Sequence, residues 1–186
     1  MRIISGSAKG ARLFSPKGEK TRPTSDFIKE SMFNIINDDL RDIYFLDLFA
    51  GTGAVGIEAL SRGAFHATFV DISNGCAVLI RRNLEKTNFL DKSQIFNMDF
   101  FSAIKKLENI QKYDIIFIDP PYFSKKDRNL VRDSLSAIVK YDILAEDGYI
   151  IAETSIAYSE PKIEGLRLFR TKLYSNTKLL FFDKDA

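Results

Sequence analysis

Residues 119–122, which read DPPY, follow an apolar run and are of types that suit the binding of an amino group. Proline has no N–H to donate, so the two prolines contribute carbonyl acceptors held in a stiff turn. A carboxylate beside a fixed carbonyl can accept both hydrogens of an –NH2 group, and Tyr122 offers a flat face for a planar base. A turn that only ends a strand would explain the prolines, but not an acid and an aromatic residue on either side of them. The segment predicts a clamp made of the Asp119 carboxylate and a proline carbonyl, with Tyr122 against the base.

A clamp of this kind suits group transfer to the exocyclic amine of a nucleobase. The lone pair of such a nitrogen is delocalised into the ring, which makes it a poor nucleophile. When the clamp accepts hydrogen bonds from both N–H groups, electron density is drawn onto the nitrogen and its lone pair is aimed at an incoming methyl group. Positioning and electrostatics can therefore supply most of the catalysis. A base inside a helix cannot reach such a clamp, so the target must be single-stranded or flipped out.

A glycine-rich loop opens a predicted helix earlier in the chain. Residues 47–56 read DLFAGTGAVG and contain Gly51, Gly53 and Gly56 in the spacing GxGxxG. Glycines at this spacing allow a tight turn and bring a ligand close to the backbone N–H groups of a helix N-terminus. By spacing alone the loop fits a dinucleotide such as NAD, and Asp71, 20 residues after Gly51, could then bind a ribose.

Acidic residues favour S-adenosylmethionine over a dinucleotide as the ligand of this loop. A carboxylate at Asp47 is unhelpful near a pyrophosphate, but it can hold a methionine ammonium by a charge-assisted hydrogen bond. Asp99 could accept from the adenine amine with Phe100 against the ring, or it could serve as a helix N-cap, and the two roles are compatible. Ligands collect at the carboxyl ends of parallel strands, where four aspartates are predicted. The expected cofactor-binding residues are Asp47, Gly51, Gly53, Asp71, Ile72, Asp99 and Phe100.

The elements that must position these residues alternate between strand and helix. Apolar strands followed by helices predict an α/β fold with a parallel sheet covered on both sides. The expected strands are 43–48, 67–72, 93–98, 113–119 and 148–153, and the expected helices are 54–62, 74–87, 100–108 and 128–140. Two further strands around Ser175 and Asn176 predict a C-terminal antiparallel hairpin. Residues 1–40 are expected to form a basic hairpin (2–5 with 11–15) and a helix with cap candidates Thr24, Ser25 and Asp26, and residues 41–186 the main domain.

Composition narrows the class of protein. The 186 residues are 45% hydrophobic and 28% charged, as in an ordinary globular domain. No apolar run approaches the ~20 residues of a membrane span, and the N-terminus does not have the pattern of a signal peptide. A single cysteine, Cys76, and a single histidine, His66, argue against a disulfide and a typical zinc site and fit a reducing cytoplasm, and no metal is expected. Residues 1–24 hold six basic side chains against one acid, which favours a phosphate-rich partner.

The motifs resemble those of a known superfamily. Residues 47–56 and 119–122 resemble motifs I and IV of class I S-adenosylmethionine-dependent amino-methyltransferases. More narrowly, RIISGSAKGARL, TRPTSDFIKESMFNII and DLFAGTGAVGIEALSRGA are similar to bacterial 16S ribosomal RNA guanine-N2 methyltransferases of the RsmD type, and the similarity spans nearly the whole chain. There are two departures: the FSKKDRN loop is shorter and more basic than expected, and the acid after the second strand is Asp71 where many relatives would have Glu.

The resemblance implies a fold, a reaction and a set of contacts. The fold is a Rossmann-like, seven-stranded, mostly parallel sheet with a C-terminal antiparallel hairpin. The reaction is transfer of a methyl group from S-adenosylmethionine to N2 of a guanine in 16S rRNA, position 966, and the implied catalytic clamp is Asp119, Pro120 and Tyr122. Apart from the resemblance, the small size of the chain favours a substrate of fixed shape such as the small ribosomal subunit, and a cytoplasmic monomer is the default expectation. Arg22 and Thr24 would lie near the active-site entrance. The expected RNA-binding residues are Arg2, Lys9, Arg12, Arg22, Thr24, Lys125 and Lys126.

Three alternatives remain open at this point. Adenine N6 in DNA, or a protein glutamine, could be methylated with the same DPPY clamp. An NAD-dependent oxidoreductase would explain the glycine loop but leave DPPY without a role. A non-catalytic RNA-binding module would not need Asp119 and Tyr122, which are both present.

Overall fold

The computed structural model describes residues 1–16, 26–36, 40–121 and 129–185. In these ranges, helices cover both faces of one seven-stranded sheet. The strands are β1 Tyr44–Asp47, β2 His66–Val70, β3 Ser93–Phe96, β4 Tyr113–Ile118, β5 Leu144–Ser155, β6 Leu166–Tyr174 and β7 Thr177–Lys184. The helices are α1 Asp26–Ile36, α2 Ala54–Ser61, α3 Asn74–Thr87, α4 Phe100–Leu107 and α5 Leu130–Lys140, with a short 3-10 turn at Leu90–Lys92.

The strand order is β3-β2-β1-β4-β5-β7-β6. The first five strands in this order run parallel, and β7 lies antiparallel between β5 and β6. The order reverses at β1, and such a switch point leaves a crevice at the carboxyl ends of the strands. The Rossmann-like sheet with a C-terminal antiparallel hairpin, which the sequence predicted, is confirmed.

Two hydrophobic cores lie on opposite faces of the sheet because the central strands are apolar on both sides. Phe45, Phe69 and Phe117 belong to the core that α1, α2 and α3 cover. Leu46 and Ile116 belong to the core under α4 and α5. The helices of the first face therefore lie beside the glycine loop and fix its position.

The N-terminal segment packs on the first face. Arg2 and Arg12 form an isolated antiparallel bridge, and the buried Ile3 and Leu13 join the core of this face. The predicted hairpin is thus present as a single bridge with flanking hydrogen bonds, among them Ile3 N–H to the Ala11 carbonyl at 3.0 Å. Since the segment shares the core of the sheet, the division of the chain at residue 40 stays a prediction.

Gly6 brings this segment against the C-terminal end of α2. It has φ +79°, and a Cβ placed on it would lie 1.7 Å from the Ser61 carbonyl oxygen. The next residue, Ser7, donates its N–H to the same oxygen at 2.8 Å. Glycine is therefore required at position 6 both for its dihedral angle and for the close approach.

Most element boundaries lie within two residues of the sequence-based ones, and the start of β5 differs most. β5 begins at Leu144 rather than at 148, because Leu144 pairs with Tyr113 and a register shift before Ile115 accommodates three extra residues in β5. α5 begins at Leu130, where the Asn129 side chain caps the helix by accepting the Arg132 N–H at 3.1 Å. α1 begins at Asp26, and the other two cap candidates lie outside the described residues.

Neither membrane-spanning helices nor metal-binding clusters occur in the described ranges. None of the helices there is long and apolar enough to cross a membrane. No three histidine, cysteine, aspartate or glutamate side chains in this part of the chain cluster as metal ligands would.

Candidate active site

The glycine loop connects the end of β1 to the start of α2 in a conformation that needs glycine. Gly51 and Gly53 have φ +53° and +78°, in the left-handed region. A Cβ on Gly51 would meet no atom within 4 Å, so the space beside this residue is open. A Cβ on Gly56 would lie 2.3 Å from the Phe69 ring, so this glycine lets α2 pack closely against β2. The loop thus leaves room for a ligand at its tip while its helix is held on the sheet.

Asp47 supplies the negative charge at the N-terminus of α2. Its carboxylate is buried, at 2% exposure, and Oδ2 accepts the Gly56 N–H at 3.1 Å. Burial raises the pKa of Asp47 to about 7; the Gly56 hydrogen bond opposes that shift, and the negative charge of Asp71 adds to it. In its ionised form this carboxylate occupies the helix N-terminus and would repel a pyrophosphate there. A cationic group is favoured instead, which matches the ammonium of S-adenosylmethionine better than NAD.

Asp71 follows β2 directly and holds the tip of the loop. Its Oδ2 accepts the Gly51 N–H and its Oδ1 accepts the Ser73 N–H, both at 2.8 Å. Each carboxylate oxygen has a second lone pair with which it can accept a ligand hydroxyl. The neighbouring Ile72, predicted to bind the cofactor, is 75% exposed at the same edge of the sheet.

Asn97 fixes the backbone at this point and was not predicted. Its Nδ2 donates to the carbonyls of Asp71 and Ile72, at 3.0 and 3.1 Å. Its position, directly after β3 and beside the end of β2, is the one signal in the sequence that could have indicated it.

Asp99 caps α4, which is one of the two roles considered for it. Its carboxylate accepts the Ser102 N–H at 3.0 Å and the Ser102 hydroxyl at 2.7 Å, and these bonds, the hydroxyl first, lower the pKa of Asp99. Phe100 packs on Phe49 of the glycine loop with 5.5 Å between ring centroids. Asp99 and Phe100 also line a cleft of about 520 Å³ between α4 and α5. A cap leaves carboxylate lone pairs available, so the predicted adenine contact stays compatible with this geometry.

Asp119 lies directly after β4, on the other side of β1 from Asp71. Asp47 pairs with Phe69 of β2 and with Phe117 of β4. Asp71 and Asp119 are each two residues beyond those partners, so alternation along the strands directs them to the same face as Asp47. Asp119 is half-buried and the adjoining Pro120 is buried. Three of the four predicted aspartates thus gather at the crevice around the end of β1.

The predicted RNA-binding residues divide into two groups. Arg2, Lys9 and Arg12 are exposed on the surface of the N-terminal segment, and the Arg2 guanidinium lies 3.5 Å from the Asp26 carboxylate. The other four predicted RNA-binding residues lie outside the described residues, and they are Arg22, Thr24, Lys125 and Lys126. The predicted clamp residue Tyr122 also lies outside them.

A buried ion cluster around Glu58 was not predicted from the sequence. Glu58 is fully buried in α2 and lies 3.2 Å from the Lys29 ammonium and 3.0 Å from the Arg62 Nε. It also accepts the N–H groups of Ile4 and Ser5, at 2.8 and 2.9 Å. A single acid in the otherwise apolar helix AVGIEALS was the available signal. The cluster fastens the N-terminal segment and α1 to the helix that begins at the glycine loop.

Asn83 makes a second link between the N-terminal segment and the loop. It is fully buried in α3, its Oδ1 accepts the Phe14 N–H at 2.7 Å, and its Nδ2 donates to the Phe14 carbonyl at 3.1 Å. The same Nδ2 donates to the Thr52 carbonyl in the glycine loop at 2.9 Å. The Thr52 hydroxyl in turn contacts the Met1 sulfur at 3.2 Å. The glycine loop and the N-terminal segment are therefore held in place by the same residue, Asn83, and by their contact with each other.

Comparisons with known proteins agree with this architecture. The model of the family described as "Conserved hypothetical protein 95" matches residues 1–183. YlbH of Bacillus subtilis, whose name assigns it provisionally as an rRNA methyltransferase, is 38% identical over 99% of both chains. The ribosomal RNA small subunit methyltransferase D of Haemophilus influenzae is 31% identical over 83% of this chain and 78% of its own. The solved structure of Escherichia coli yhhF, provisionally titled a methyltransferase, matches with a TM-score of 0.86 at 26% identity, over 100% of this chain and 98% of that one. The chain therefore belongs to this family, that of the RsmD-type ribosomal RNA methyltransferases.

Proposed function

We propose that the protein methylates the N2 amine of a guanine, position 966, in 16S ribosomal RNA. Membership of the RsmD-type family supports methylation of rRNA in general, without naming the target atom. The observation that carries the finer proposal is the gathering of Asp47, Asp71 and Asp119 around the end of β1, with the helix N-terminus already neutralised by Asp47. A site built in this way suits a cationic cofactor and an amine substrate.

The cofactor is S-adenosylmethionine, and the residues at the loop fit it. The ligand carries a sulfonium, an ammonium and a ribose but no phosphate. The buried Asp47 carboxylate would bind the ammonium, and the carboxylate of Asp71 would accept from the ribose hydroxyls. Asp99 would accept from the adenine amine, with Ile72 and Phe100 packing against the ring. Gly51 leaves open space for the ligand beside the loop, and Gly53 allows the tight turn with its positive φ.

The clamp would consist of Asp119, Pro120 and Tyr122. Bound S-adenosylmethionine supplies a methyl group on a good leaving group. Asp119 would accept one N–H of the guanine amine and the Pro120 carbonyl the other, while Tyr122 stacks on the base. Since the amine loses a proton on methylation, Asp119 would take that proton or pass it to water. Positioning and electrostatics thus account for most of the expected rate enhancement.

The RNA would be bound by basic residues, three of which lie in the N-terminal segment. Arg2, Lys9 and Arg12 lie at the surface of the N-terminal segment, where they can contact phosphates. We assign the same role to Arg22, Thr24, Lys125 and Lys126. The proposed target is the guanine within the small ribosomal subunit, methylated in the cytoplasm by a monomer.

The test is transfer of methyl label from S-adenosylmethionine to three substrates: small ribosomal subunits that lack the modification, naked 16S rRNA and DNA. Wild-type protein is compared with Asp119→Ala and with a control, Asp147→Ala, an exposed aspartate in β5. We expect label in rRNA as N2-methylguanine, a loss of at least about 100-fold in Asp119→Ala, and no change in the control.

Each other outcome would refute a different part of the proposal. Label in DNA, or in a glutamine side chain, would replace guanine by one of the other acceptors of the same clamp. Label at another rRNA atom would leave the cofactor site intact but refute the N2 assignment. Equal activity of Asp119→Ala and Asp147→Ala would show that Asp119 has no part in catalysis.

A further inference from the structure

Phe14 brings two cations of α3 together beside the N-terminal segment. The Arg82 guanidinium carbon lies 4.5 Å from the centroid of the Phe14 ring, and the Lys86 ammonium lies 4.6 Å from it. The two cations are one helical turn apart, and all three side chains are exposed. Attraction by the ring holds both charges on the side of α3 that faces the N-terminal segment.

The backbone beneath this ring is fixed. Asn83 lies on α3 between Arg82 and Lys86 in sequence and binds both the N–H and the carbonyl of Phe14. Because Asn83 is fully buried, these hydrogen bonds are protected from water. The ring and its two cations are therefore preorganised rather than a chance contact of flexible surface side chains.

A second pair of cations lies on the same segment. Arg2 and Arg12 face each other across the antiparallel bridge and are both exposed. Like charges at directly opposite positions destabilise a strand pair, so this arrangement costs stability unless an anion is bound. Leu13, which lies between Arg12 and Phe14 in sequence, is buried. Because side chains alternate along extended backbone, Arg12 and Phe14 both lie on the outer side of the segment. We call this set the basic strip: Arg2, Arg12, Phe14, Arg82 and Lys86.

We propose that the basic strip binds the phosphodiester backbone of RNA, and that Arg82 and Lys86 carry the RNA-binding surface from the N-terminal segment onto α3. The identity of the ligand rests on the proposed function, whereas the strip itself rests on the contacts above. Cations beside an exposed aromatic ring suit single-stranded RNA, since the cations contact phosphates while the ring can stack on a base. Asp26, 3.5 Å from Arg2, compensates part of the charge of the strip, but within the described residues no carboxylate lies at ion-pair distance from Arg82 or Lys86.

The test compares two double variants with the same change in net charge. Arg82→Gln/Lys86→Gln removes the α3 cations of the strip. Lys105→Gln/Lys106→Gln removes two exposed cations from α4, on the opposite face of the sheet, one of which also lies on an aromatic ring. The dissociation constant of each protein for a 16S rRNA fragment is measured at several salt concentrations. Binding of S-adenosylhomocysteine and the unfolding temperature are measured alongside, as checks on the cofactor site and the fold.

We expect the strip variant to bind rRNA about tenfold more weakly. The logarithm of the association constant decreases as the logarithm of the salt concentration rises. This dependence should become less steep by about 1.5 in the variant, since each phosphate that is no longer neutralised reduces the steepness by about 0.7 to 0.9. Cofactor affinity, kcat and unfolding temperature should stay at wild-type values, so that the whole effect appears in the KM for RNA.

Three other results would overturn the proposal in different ways. An affinity and slope no lower than those of the α4 variant would refute the role of the strip while leaving the proposed function intact. Failure of the wild-type protein to bind or methylate rRNA would overturn both. An equal weakening of binding to double-stranded DNA would show that the strip does not select RNA.

Discussion

Asp47 and Gly56 join the end of β1 to the first turn of α2 through one hydrogen bond, Gly56 N–H to Asp47 Oδ2 at 3.1 Å. The bond satisfies a helix N–H that has no partner within the helix. It also holds a carboxylate in a buried position, where the charged form is disfavoured. The protein without ligand therefore carries an energetic cost at Asp47 that a bound cation can relieve.

Asp47→Asn should separate stability from binding. An amide oxygen can still accept the Gly56 N–H, but no charge is buried. We expect the unfolding temperature at pH 8 to rise by roughly 5 °C, for a gain of about 2 kcal/mol, and the affinity for S-adenosylmethionine to fall at least about 100-fold. Calorimetric unfolding and titration calorimetry measure the two quantities, with Asp91→Asn as a surface control. An unfolding temperature below wild type would refute the argument from burial.

The pH dependence of cofactor binding should follow Asp47. The folded state raises the pKa of this carboxyl from 3.8 to about 7. Its contribution to stability is therefore fully present below about pH 4 and is lost as pH rises to about 7. Cofactor binding has the opposite sign, because an ammonium requires the ionised carboxylate. We expect the dissociation constant to fall as pH rises from 5 to 7, by up to about tenfold per unit, and then to level off.

Asp47→Asn serves as the control for this titration. In that variant the dissociation constant should be large and nearly independent of pH over the same range. A wild-type affinity that stays constant between pH 5 and 7 would show that Asp47 is ionised throughout, or that the cofactor does not contact it.

Asn83→Ala should loosen the glycine loop as well as the N-terminal segment. The substitution removes the hydrogen bonds to Phe14 and Thr52 and leaves those backbone groups without these partners. We expect a decrease of about 2 to 4 kcal/mol in the free energy of unfolding and an affinity for S-adenosylmethionine about tenfold weaker. Thr87→Val is the matched control, since the Thr87 hydroxyl donates to carbonyls of its own helix, those of Asn83 and Leu84. If both variants retain wild-type cofactor affinity, the link through Asn83 has no effect on the site.

Glu58→Gln should be among the most destabilising single changes in the chain. It leaves the buried ammonium of Lys29 without a full negative charge at 3.2 Å. Breaking such a buried pair costs about 3 to 5 kcal/mol. Denaturant unfolding of this variant is compared with that of Glu85→Gln, an exposed glutamate of α3, for which a change within about 0.5 kcal/mol is expected.

Limited proteolysis gives a second measure of the same cluster. Since Glu58 binds the N–H groups of Ile4 and Ser5, its replacement should make the N-terminal segment more accessible to trypsin. Cleavage after Lys9 or Arg12 at the wild-type rate, together with unchanged stability, would mean that the cluster is not what holds the segment.

The strands and helices were predictable because their hydrophobic pattern is local. Gly51, Gly53 and Asp47 could be connected to a ligand site because a parallel sheet places the ends of its strands at one edge. The start of β5 could not be predicted, since Leu144 joins the strand through a register shift opposite Tyr113. Such pairing depends on two segments far apart in the chain.

The contacts that fix the site could not be predicted for the same reason. Glu58 and Lys29 are 29 positions apart in the chain, and Asn83 and Phe14 are 69 apart. Each polar side chain resembles a surface residue until its partner is known. An acid within an apolar helix indicates a buried partner, but not which residue it is.

The contact between the Met1 sulfur and the Thr52 hydroxyl decides where an affinity tag can be attached. A tag fused before Met1 would begin within one side-chain length of the glycine loop. β7 runs antiparallel to β5, so its C-terminal end lies at the edge of the sheet away from Asp47. Purification through a C-terminal tag therefore leaves the cofactor loop unobstructed, whereas an N-terminal tag should be cleaved off before any binding constant is measured.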